Sequence, residues 1–535
     1  MDEVTRADVV VVGAGPCGVT LANYLGTLGV NTLLLDRSED ILDYPRAVGV
    51  DDESLRSWQG IGLASELLED MIQNVPARYH NSRGECFAEV APGDQPFGWP
   101  RRNLFIQPLT EATLRKGLQR FEHVRFAPGV EVRGLVQDDN GVRLDAISTD
   151  GKHHEIHAQY VVGSDGGRSK VRELIGVSLE GTTDTNKWLV VDVLNDPLDA
   201  PFTEIHCHPV RPSFSIHLPY GYRRLEFLVK LDEKDEDVLQ PAYLETLMRQ
   251  HYPGVEKLPE IKRARIYLHH SRTAEKFSVG RVFLAGDAAH LQPPFFGQGM
   301  NSGQRDATNL GWKLAWVVKG KSSPRILETY SGERRGHALA MVNFATWIGR
   351  QYQPMNRFTE WLRDLFFKVI QKVPGAKEYV LQLKFKPMAR YMNGIVLHSP
   401  ENIRRKDNPV GRLFIQPSVQ AGRQVLKLDD FIGPKFAVLG IKADPWEFIG
   451  SEQRQAMAGL DFASIYIRPS KSVGRQKAPG SMSLEAEDVH GRFRDWLRKS
   501  PQWQFVILRP DRYVAAVCTA AELDATIASL VRLMK

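Results

Sequence analysis

The chain has 535 residues, 42% apolar and 25% charged, with 69 basic against 64 acidic side chains and a formal net charge of +5. This is the balance of a folded globular protein of about two to four domains, which excludes a disordered or fibrous chain. The basic residues are scattered rather than blocked, so a nucleic-acid partner is not expected.

The cysteines Cys17, Cys86, Cys207 and Cys518 lie far apart and form no CxxC pair, so no disulfide framework, zinc ribbon or resident metal is expected. The N-terminal MDEVTRAD is acidic and unlike a signal peptide. No apolar run reaches the length of a membrane span. A cytoplasmic protein is the expectation.

In chain order, Ala7–Val12 reads as a fully buried strand, GAGPCG follows, and Val19–Leu28 has helical spacing. Asn31–Leu35 is a second buried strand ending at Asp36, completing a strand–helix–strand unit. Leu104–Gln107 reads as a short strand and Pro108–Phe121 as a helix. Val130–Ala146 alternates as a hairpin, and His154–Val162 runs into GSDGG. Trp188–Val193, Phe202–Cys207, Phe214–Leu218 and Arg224–Val229 alternate and predict an antiparallel sheet inserted into an α/β domain. After Arg265–Leu268 the α/β signal returns with the strand Arg281–Ala285. Glu333–Val373 is a long helical stretch that Pro354 should break or kink. Beyond about Pro417 a separate small α/β pattern runs through KFAVLGI, FASIYIRP, QFVILRP and YVAAVC to a helix at Ala521–Met534.

Three motifs carry chemistry. In GAGPCG, Gly13 permits a tight turn, Gly15 lets backbone approach a pyrophosphate, and Gly18 lets helix and strand pack. Asp36, 18 residues beyond Gly18, can bind a ribose hydroxyl. VVGSDGGRS, 161–169, is an apolar strand ending in Asp-Gly, and alone it would be read as a turn. In GDAAHLQPPFFGQGMNSGQRDA, 286–307, Asp287 sits past a buried strand, where it can accept hydrogen bonds from a chain of hydroxyls. GQGMN then opens a helix whose first N–H groups favour a partly negative edge.

Together, in order and spacing, these motifs resemble the fingerprints of the FAD-dependent aromatic hydroxylases of the p-hydroxybenzoate hydroxylase type. DYPRAVGVDDESLRSWQGIG (43–62), FGWPRRNLFIQP (97–108), NDPLDAP (195–201), HPVRP (208–212) and KFKPM (384–388) narrow the likeness to the 3-(3-hydroxyphenyl)propionate hydroxylase group. LQPPFFGQGMNSG departs from the MPVWQGQGYNSG-like segment of that group, at a loop bordering the substrate.

The resemblance implies an α/β protein: a Rossmann-like FAD-binding domain with an inserted antiparallel-sheet substrate domain, plus a C-terminal thioredoxin-like domain without CxxC. The expected boundaries are 1–178 and 276–345 for the FAD-binding domain, 179–275 for the substrate sheet, 346–417 for a helical linker and 418–535 for the tail. The tail's role is read as either structural or supporting a homodimer.

By the same resemblance the FAD contacts are Gly13, Gly15, Pro16, Gly18, Asp36, Arg37, Arg46, Gln107, Asp165, Asp287, Pro293, Gly297, Gly299, Met300 and Asn301. NADH or NADPH is a transient co-substrate, and Asp165 belongs to the motif implicated in its use. The implied reaction hydroxylates a phenolic acid ortho to its hydroxyl with O₂, through a flavin hydroperoxide. The protein must exclude water, hold the ring and help remove the phenol proton.

Phe295 and Phe296 are candidates for a dry wall. His206, His208, Arg211, His217 and Tyr222 are candidates to face the ring, with Arg211 able to pair with a substrate carboxylate. A structural role is the plainer reading of each. His206-Cys207-His208 makes a poor metal site, because alternation splits its ligands across the sheet. Tailoring of a larger aromatic such as a polyketide or quinolone, an FAD-dependent reductase without oxygenation, and a non-catalytic FAD-fold protein are the alternatives.

Overall fold

The computed structural model describes residues 4–535 except 199, 353–355, 400–402, 404, 406, 442, 470–479 and 499–501. The apolar runs of the sequence become the parallel core of an 8-stranded sheet. Val4–Val12 pairs in parallel with Thr32–Asp36 on one side and His153–Gly163 on the other. Val282–Leu284 and Val124–Pro128 extend the parallel set at either flank. Strands covered on both faces need continuous apolar side chains, which explains VVVV, TLLL and VFLA. Val4–Val12 begins earlier than expected because its first residues pair with Glu155–His157. HHEIH, 153–157, therefore belongs to a strand and pairs with the hairpin arm Val142–Ser148.

Register puts the glycine-bearing ends together. Gly13 N–H donates to Leu35 O at 2.7 Å, Ser164 N–H to Val12 O at 2.7 Å, and Ala285 N–H to Gly163 O at 2.9 Å. The three motifs thus meet at the carboxyl ends of neighbouring parallel strands, the edge where open α/β sheets bind ligands. The expected strand Leu104–Gln107 is only Asn103–Leu104, and Gln107 opens the helix Gln107–Leu118. Pro108 in its first turn is pre-set for that start.

The second sheet is also 8-stranded and larger than its expected span. Leu179–Leu194, Thr203–His206, Ser213–His217, Arg223–Val229 and Glu260–Ala274 supply its body. Ala77–His80 joins it in parallel beside Thr203–His206, and Cys86–Val90 follows. Strands at 77–90, inside the expected FAD-binding segment 1–178, thus belong to the second sheet and not to the FAD-binding domain. Period-two alternation divides the sheet's faces. Leu189, Val191, Leu225 and Phe227 pack with Leu244 and Tyr252 on one side. Trp188, Ile205, Phe214 and Leu228 pack with Ile348, Phe367 and Leu383 on the other.

A single helix, Arg325–Tyr352, runs across the expected boundary at 345. Pro354 lies outside the described residues. Helix resumes at Arg357–Ile370, where the Asn356 side chain accepts from Thr359 N–H at 2.8 Å. Together with Pro374–Leu381 it covers the second sheet, so the linker is part of the substrate unit.

The third sheet, 7-stranded, belongs to the tail. Phe436–Gly440, Phe462–Pro469 and Leu484–Asp488 are parallel, Phe505–Leu508 and Val514–Cys518 run antiparallel, and helix Leu523–Met534 ends the chain. The tail seats on the long helix Gln298–Val318. Lys313 and Arg509 share Glu333 at 2.7–2.8 Å, all fully buried, and Phe436 meets Trp312 edge-on with ring centroids 5.4 Å apart.

Candidate active site

One cleft of about 400 Å³ runs from the glycine loop to the second sheet, within the usual range for a ligand pocket. At its first end the walls are backbone. Gly13 has φ +104°, and a Cβ there would lie 2.4 Å from Ser164 O, so only glycine fits. A Cβ on Gly18 would strike Gly13 O. Gly15 differs: a Cβ there would meet nothing within 4 Å, because the residue looks into the cleft. Pro16 begins the helix Pro16–Thr27, whose N-cap Gly15 offers no side chain, so the first amides face the same space. Asp36 accepts from Ala14 N–H at 2.6 Å, which places its carboxylate at the rim of the loop.

Arg37 and Asp165, both expected contacts, sit elsewhere. Arg37 is exposed beyond the strand end and does not line the cleft. Asp165 turns away: its oxygens accept from Lys170 N–H at 2.7 Å, Val171 N–H at 3.1 Å and Ser169 Oγ, capping the helix Lys170–Leu174. Its neighbours Ser164 and Gly166 reach the cleft instead.

In the middle of the cleft stand Asp287, exposed, and the start of the long helix. Gly297, at φ +61°, caps that helix without a side chain, leaving the amides around Gly299 and Met300 open to the cleft. A Cβ on Gly299 meets nothing within 4 Å. Pro293 is buried behind the turn, and Pro294 lines the cleft in its place. Asn301 lines the cleft and also accepts from Asp51 N–H at 3.1 Å and Ser54 Oγ at 2.6 Å, tying the helix start to the loop after Gly49. Arg46 and Gln107 line the cleft. Gln107 Oε1 accepts from Ala47 N–H at 2.7 Å and so holds that loop.

Sequence reasoning missed the side chains behind these walls. Asp306, fully buried, accepts from Gly286 N–H at 3.0 Å and pairs with His290 and Arg334 at 2.7 and 2.8 Å. It thereby fixes the turn that presents Asp287. Arg305 and Lys386 clamp Asp51 and Glu53, with Lys386 2.8 Å from Asp51 and Arg305 Nε 2.8 Å from Glu53. Burial raises the cost of charge on Asp51 and Glu53, but both cations outweigh it and hold both carboxyls low. Asp52 goes the other way: burial, then the Asp51 charge, pushes it up to about 7. Its nearest cation is Arg101, at 3.7 Å. The available signal was DDE at a helix start, an N-cap pattern with more acid than a cap requires.

At the sheet end the walls are side chains: Ala77, Tyr79, Ile205, Phe214, Phe295 and Phe296, with Leu383 from the linker. Phe295 packs on Trp188 and His269, and Phe296 stands edge-on to Phe344 with centroids 5.0 Å apart. The other candidates for this end are corrected. Ile205 takes the cleft side of its strand, so His206 faces away, stacked on His80, with burial lowering its ring to about 4. His208 accepts from Val210 N–H in a turn. Arg211 is paired with Glu233 and donates to Tyr243 Oη at 3.0 Å. His217 lies opposite Phe214 and Ile216 in alternation, 3.8 Å from Asp196. Tyr222 packs with Leu218, Val75 and Leu104. The sheet instead offers the cleft Arg224 and Glu226.

A dinucleotide cradle continuous with a dry aromatic chamber defines a flavin-dependent ring hydroxylase. Residues 6–345 match the family model for an FAD binding domain, and residues 411–533 that for an HcaD C-terminal domain. The chain belongs to this family of FAD-dependent aromatic hydroxylases. It is 46% identical over 519 residues to the 3-(3-hydroxy-phenyl)propionate/3-hydroxycinnamic acid hydroxylase 2 of Burkholderia vietnamiensis, covering 96% of this chain and 94% of that one. It is 43% identical to the corresponding hydroxylase of Mycolicibacterium smegmatis, covering 96% and 91%. Its fold is that of the flavin-dependent monooxygenase PieE, solved with FAD and substrate (TM-score 0.81, 21% identity, 99% of each chain). Aklavinone-11 hydroxylase with FAD and aklavinone gives TM-score 0.78 at 23% identity, covering 99% of this chain and 100% of that one. No helix among the described residues is long and apolar enough to cross a membrane.

Proposed function

We propose that this chain hydroxylates 3-(3-hydroxyphenyl)propionate or a closely similar phenolic acid ortho to its hydroxyl, consuming NADH or NADPH and O₂. The observation that carries this reading is the apolar chamber of Phe214, Phe295, Phe296 and Leu383, opening directly onto the helix start at Gly299. The names of the full-length relatives agree with it.

The cradle fits FAD. Gly15 and Gly299 leave space that any side chain would fill, and their amides supply donors for a pyrophosphate and a pyrimidine edge. When bound there, FAD supplies hydride acceptance and transfer of an oxygen atom to the ring. Asp36 would hold the adenosine ribose and Asp287 the ribityl hydroxyls. Arg46 would lie along the cofactor. The helix N-terminus at Gly297–Asn301 would favour negative charge on a flavin ring edge held beside it. Phe295 and Phe296 keep water from the reacting centre.

The tail is read as thioredoxin-like and structural. Its Cys518 is buried, and burial pushes the thiol up to about 12, far from a reactive thiolate.

The test is oxidation of NADH and NADPH by the FAD-loaded protein, with O₂ uptake and catechol measured, with and without 3-(3-hydroxyphenyl)propionate. Stimulated oxidation with one catechol per O₂ is expected. Stimulation that yields only hydrogen peroxide would make this acid an effector and send the search to larger aromatics. Oxidation without O₂ uptake would identify a reductase.

A further inference from the structure

Strand Arg223–Val229 runs through the second sheet between Leu179–Leu194 and Ser213–His217. Its core-facing side chains are Leu225, Phe227 and Val229, which leaves Arg224, Glu226 and Leu228 on the cleft side. Glu226 is 9% exposed, lines the cleft and lies opposite Phe214 and Val190. Among the described residues its carboxyl has no hydrogen-bond or ion-pair partner, whereas its charged neighbours are committed. Arg224 binds Asp192 at 2.7 and 3.1 Å and the Arg46 carbonyl at 2.8 Å. Arg102 donates to Thr203 Oγ1 at 2.9 Å and to Val75 O.

A buried carboxylate with unfilled acceptor capacity, set among Phe214, Ile216 and Phe295, is matched by a ligand with an O–H on an apolar ring. A ligand carboxylate there would meet like charge, so the acid tail of such a ligand must point elsewhere.

We propose that Glu226 accepts the hydrogen bond of the substrate's phenolic hydroxyl and takes its proton as the ring is hydroxylated. This rests on the function proposed above. The O–H bond breaks, its electron pair stays on the phenol oxygen and enriches the ortho carbon, and the proton moves to a Glu226 oxygen. The proton leaves to water when product departs.

Burial raises the Glu226 carboxyl; the Arg224 charge opposes this and that of Asp192 adds to it. Arg263 stands 3.9 Å from Asp192, and Arg46, Tyr79 and Asp52 face the same cleft. A raised carboxyl is a better base toward a phenol of pKa about 10 than an ordinary one. Asp51 and Asp52, the other buried carboxyls on this cleft, belong to the cluster behind the helix start, where Arg305 and Lys386 hold Asp51 and Arg101 stands beside Asp52.

The experiment compares wild type, E226Q and E226D as FAD-loaded enzymes on 3-(3-hydroxyphenyl)propionate and on its ring-fluorinated, more acidic analogue, across pH. Wild type should show catechol formation rising with pH through a single ionisation raised from the ordinary carboxyl value. E226Q should keep substrate-stimulated NAD(P)H oxidation but lose catechol formation about 10²- to 10⁴-fold at neutral pH. Its residual rate should rise toward the phenol's own ionisation and be partly restored by the fluorinated ring. E226D should keep the acidic limb at a lower rate.

A loss in E226Q that neither pH nor fluorine relieves means a structural role and overturns the proposal. So does an unchanged profile, or the same signature appearing in D52N instead. If E226Q does not hold FAD, a wild-type profile with no acidic limb, or E226D without one, overturns it equally. Wild type forming no catechol at any pH overturns the function itself; wild-type turnover with an indifferent E226Q overturns Glu226 alone.

Discussion

At the glycine-loop end of the cleft, the surfaces offered to a ligand are main chain: Gly15, the first turn after Pro16, and the amides around Gly299. At the sheet end they are side chains from strands far apart in sequence, among them Tyr79, Ile205, Phe214 and Glu226. The first kind of surface is specified locally. A glycine is needed where a Cβ would strike Ser164 O or fill the ligand's space, and the spacing of such needs is the motif. The second kind depends on which face of each strand is turned inward, a choice fixed by register with distant partners.

Breaking the first end alone should have the largest effect on cofactor binding. Gly15 has φ −72° and extended ψ, a conformation open to any residue, so Gly15→Val should leave the chain folded. Its side chain would stand in the cofactor's space. Overpacking of 1–3 kcal/mol corresponds to about a 10- to 100-fold loss of FAD affinity. Titration of the apoprotein by flavin fluorescence measures this. Unchanged affinity would move the pyrophosphate away from Gly15.

Next is the support behind the middle of the cleft. Asp306→Ala leaves Arg334 buried without its partner and frees Gly286 N–H. Breaking a buried pair this way costs about 3–5 kcal/mol. Denaturant unfolding should show that loss, and flavin binding should weaken with it. A loss under 1 kcal/mol would mean the turn at Asp287 is held by other contacts.

The same contrast explains what the sequence disclosed. The parallel sheet, the three motifs and the cleft position of Gly15, Asp287 and Gly299 were legible, because each follows from a short run and its backbone demands. The ring-facing residues were not. In SFSIH the polar set Ser213, Ser215 and His217 resembles a site, yet the apolar set Phe214 and Ile216 faces the cleft, since this chemistry needs a dry chamber. RRLEFLV held the better signal: Arg224 and Glu226 alternate with Leu225 and Phe227 within a strand buried along its whole length. Asp165 was misread because a Gly-x-Asp-Gly segment describes a helix cap as well as a ligand contact. Residues 77–90 gave no sign of crossing into the second sheet, because parallel pairing with Thr203–His206 leaves no local turn to read.

A smaller effect should mark the acid cluster beside the helix start. Folded, Asp52 keeps its proton to about pH 7, whereas the unfolded chain loses it near the ordinary 3.8. Between those values folding takes up a proton, so this group makes stability fall as pH rises. The slope is at most about 1.4 kcal/mol per pH unit. Asp52→Asn removes the ionisation and should flatten the decline measured by urea unfolding at pH 5, 6 and 7. Parallel curves for both proteins would mean Asp52 is ionised in the fold throughout.

The smallest effect on activity should come from Arg211, the residue whose guanidinium was the sequence's candidate partner for a substrate carboxylate. Its guanidinium is spent on Glu233, Tyr243 Oη and Leu228 O, none of which lines the cleft. Arg211→Met keeps much of the aliphatic stem and removes the pair. KM for the phenolic acid should stay within about 2-fold of wild type, because no cleft group changes. Stability should drop by about 1–3 kcal/mol, since Glu233 loses its charged partner in a half-buried place. A KM rise of 10-fold or more with unaltered stability would bring Arg211 back to the substrate. It would also require the turn after His208 to rearrange when the acid binds, and the sheet end would then be shaped by its ligand, unlike the preformed glycine-loop end.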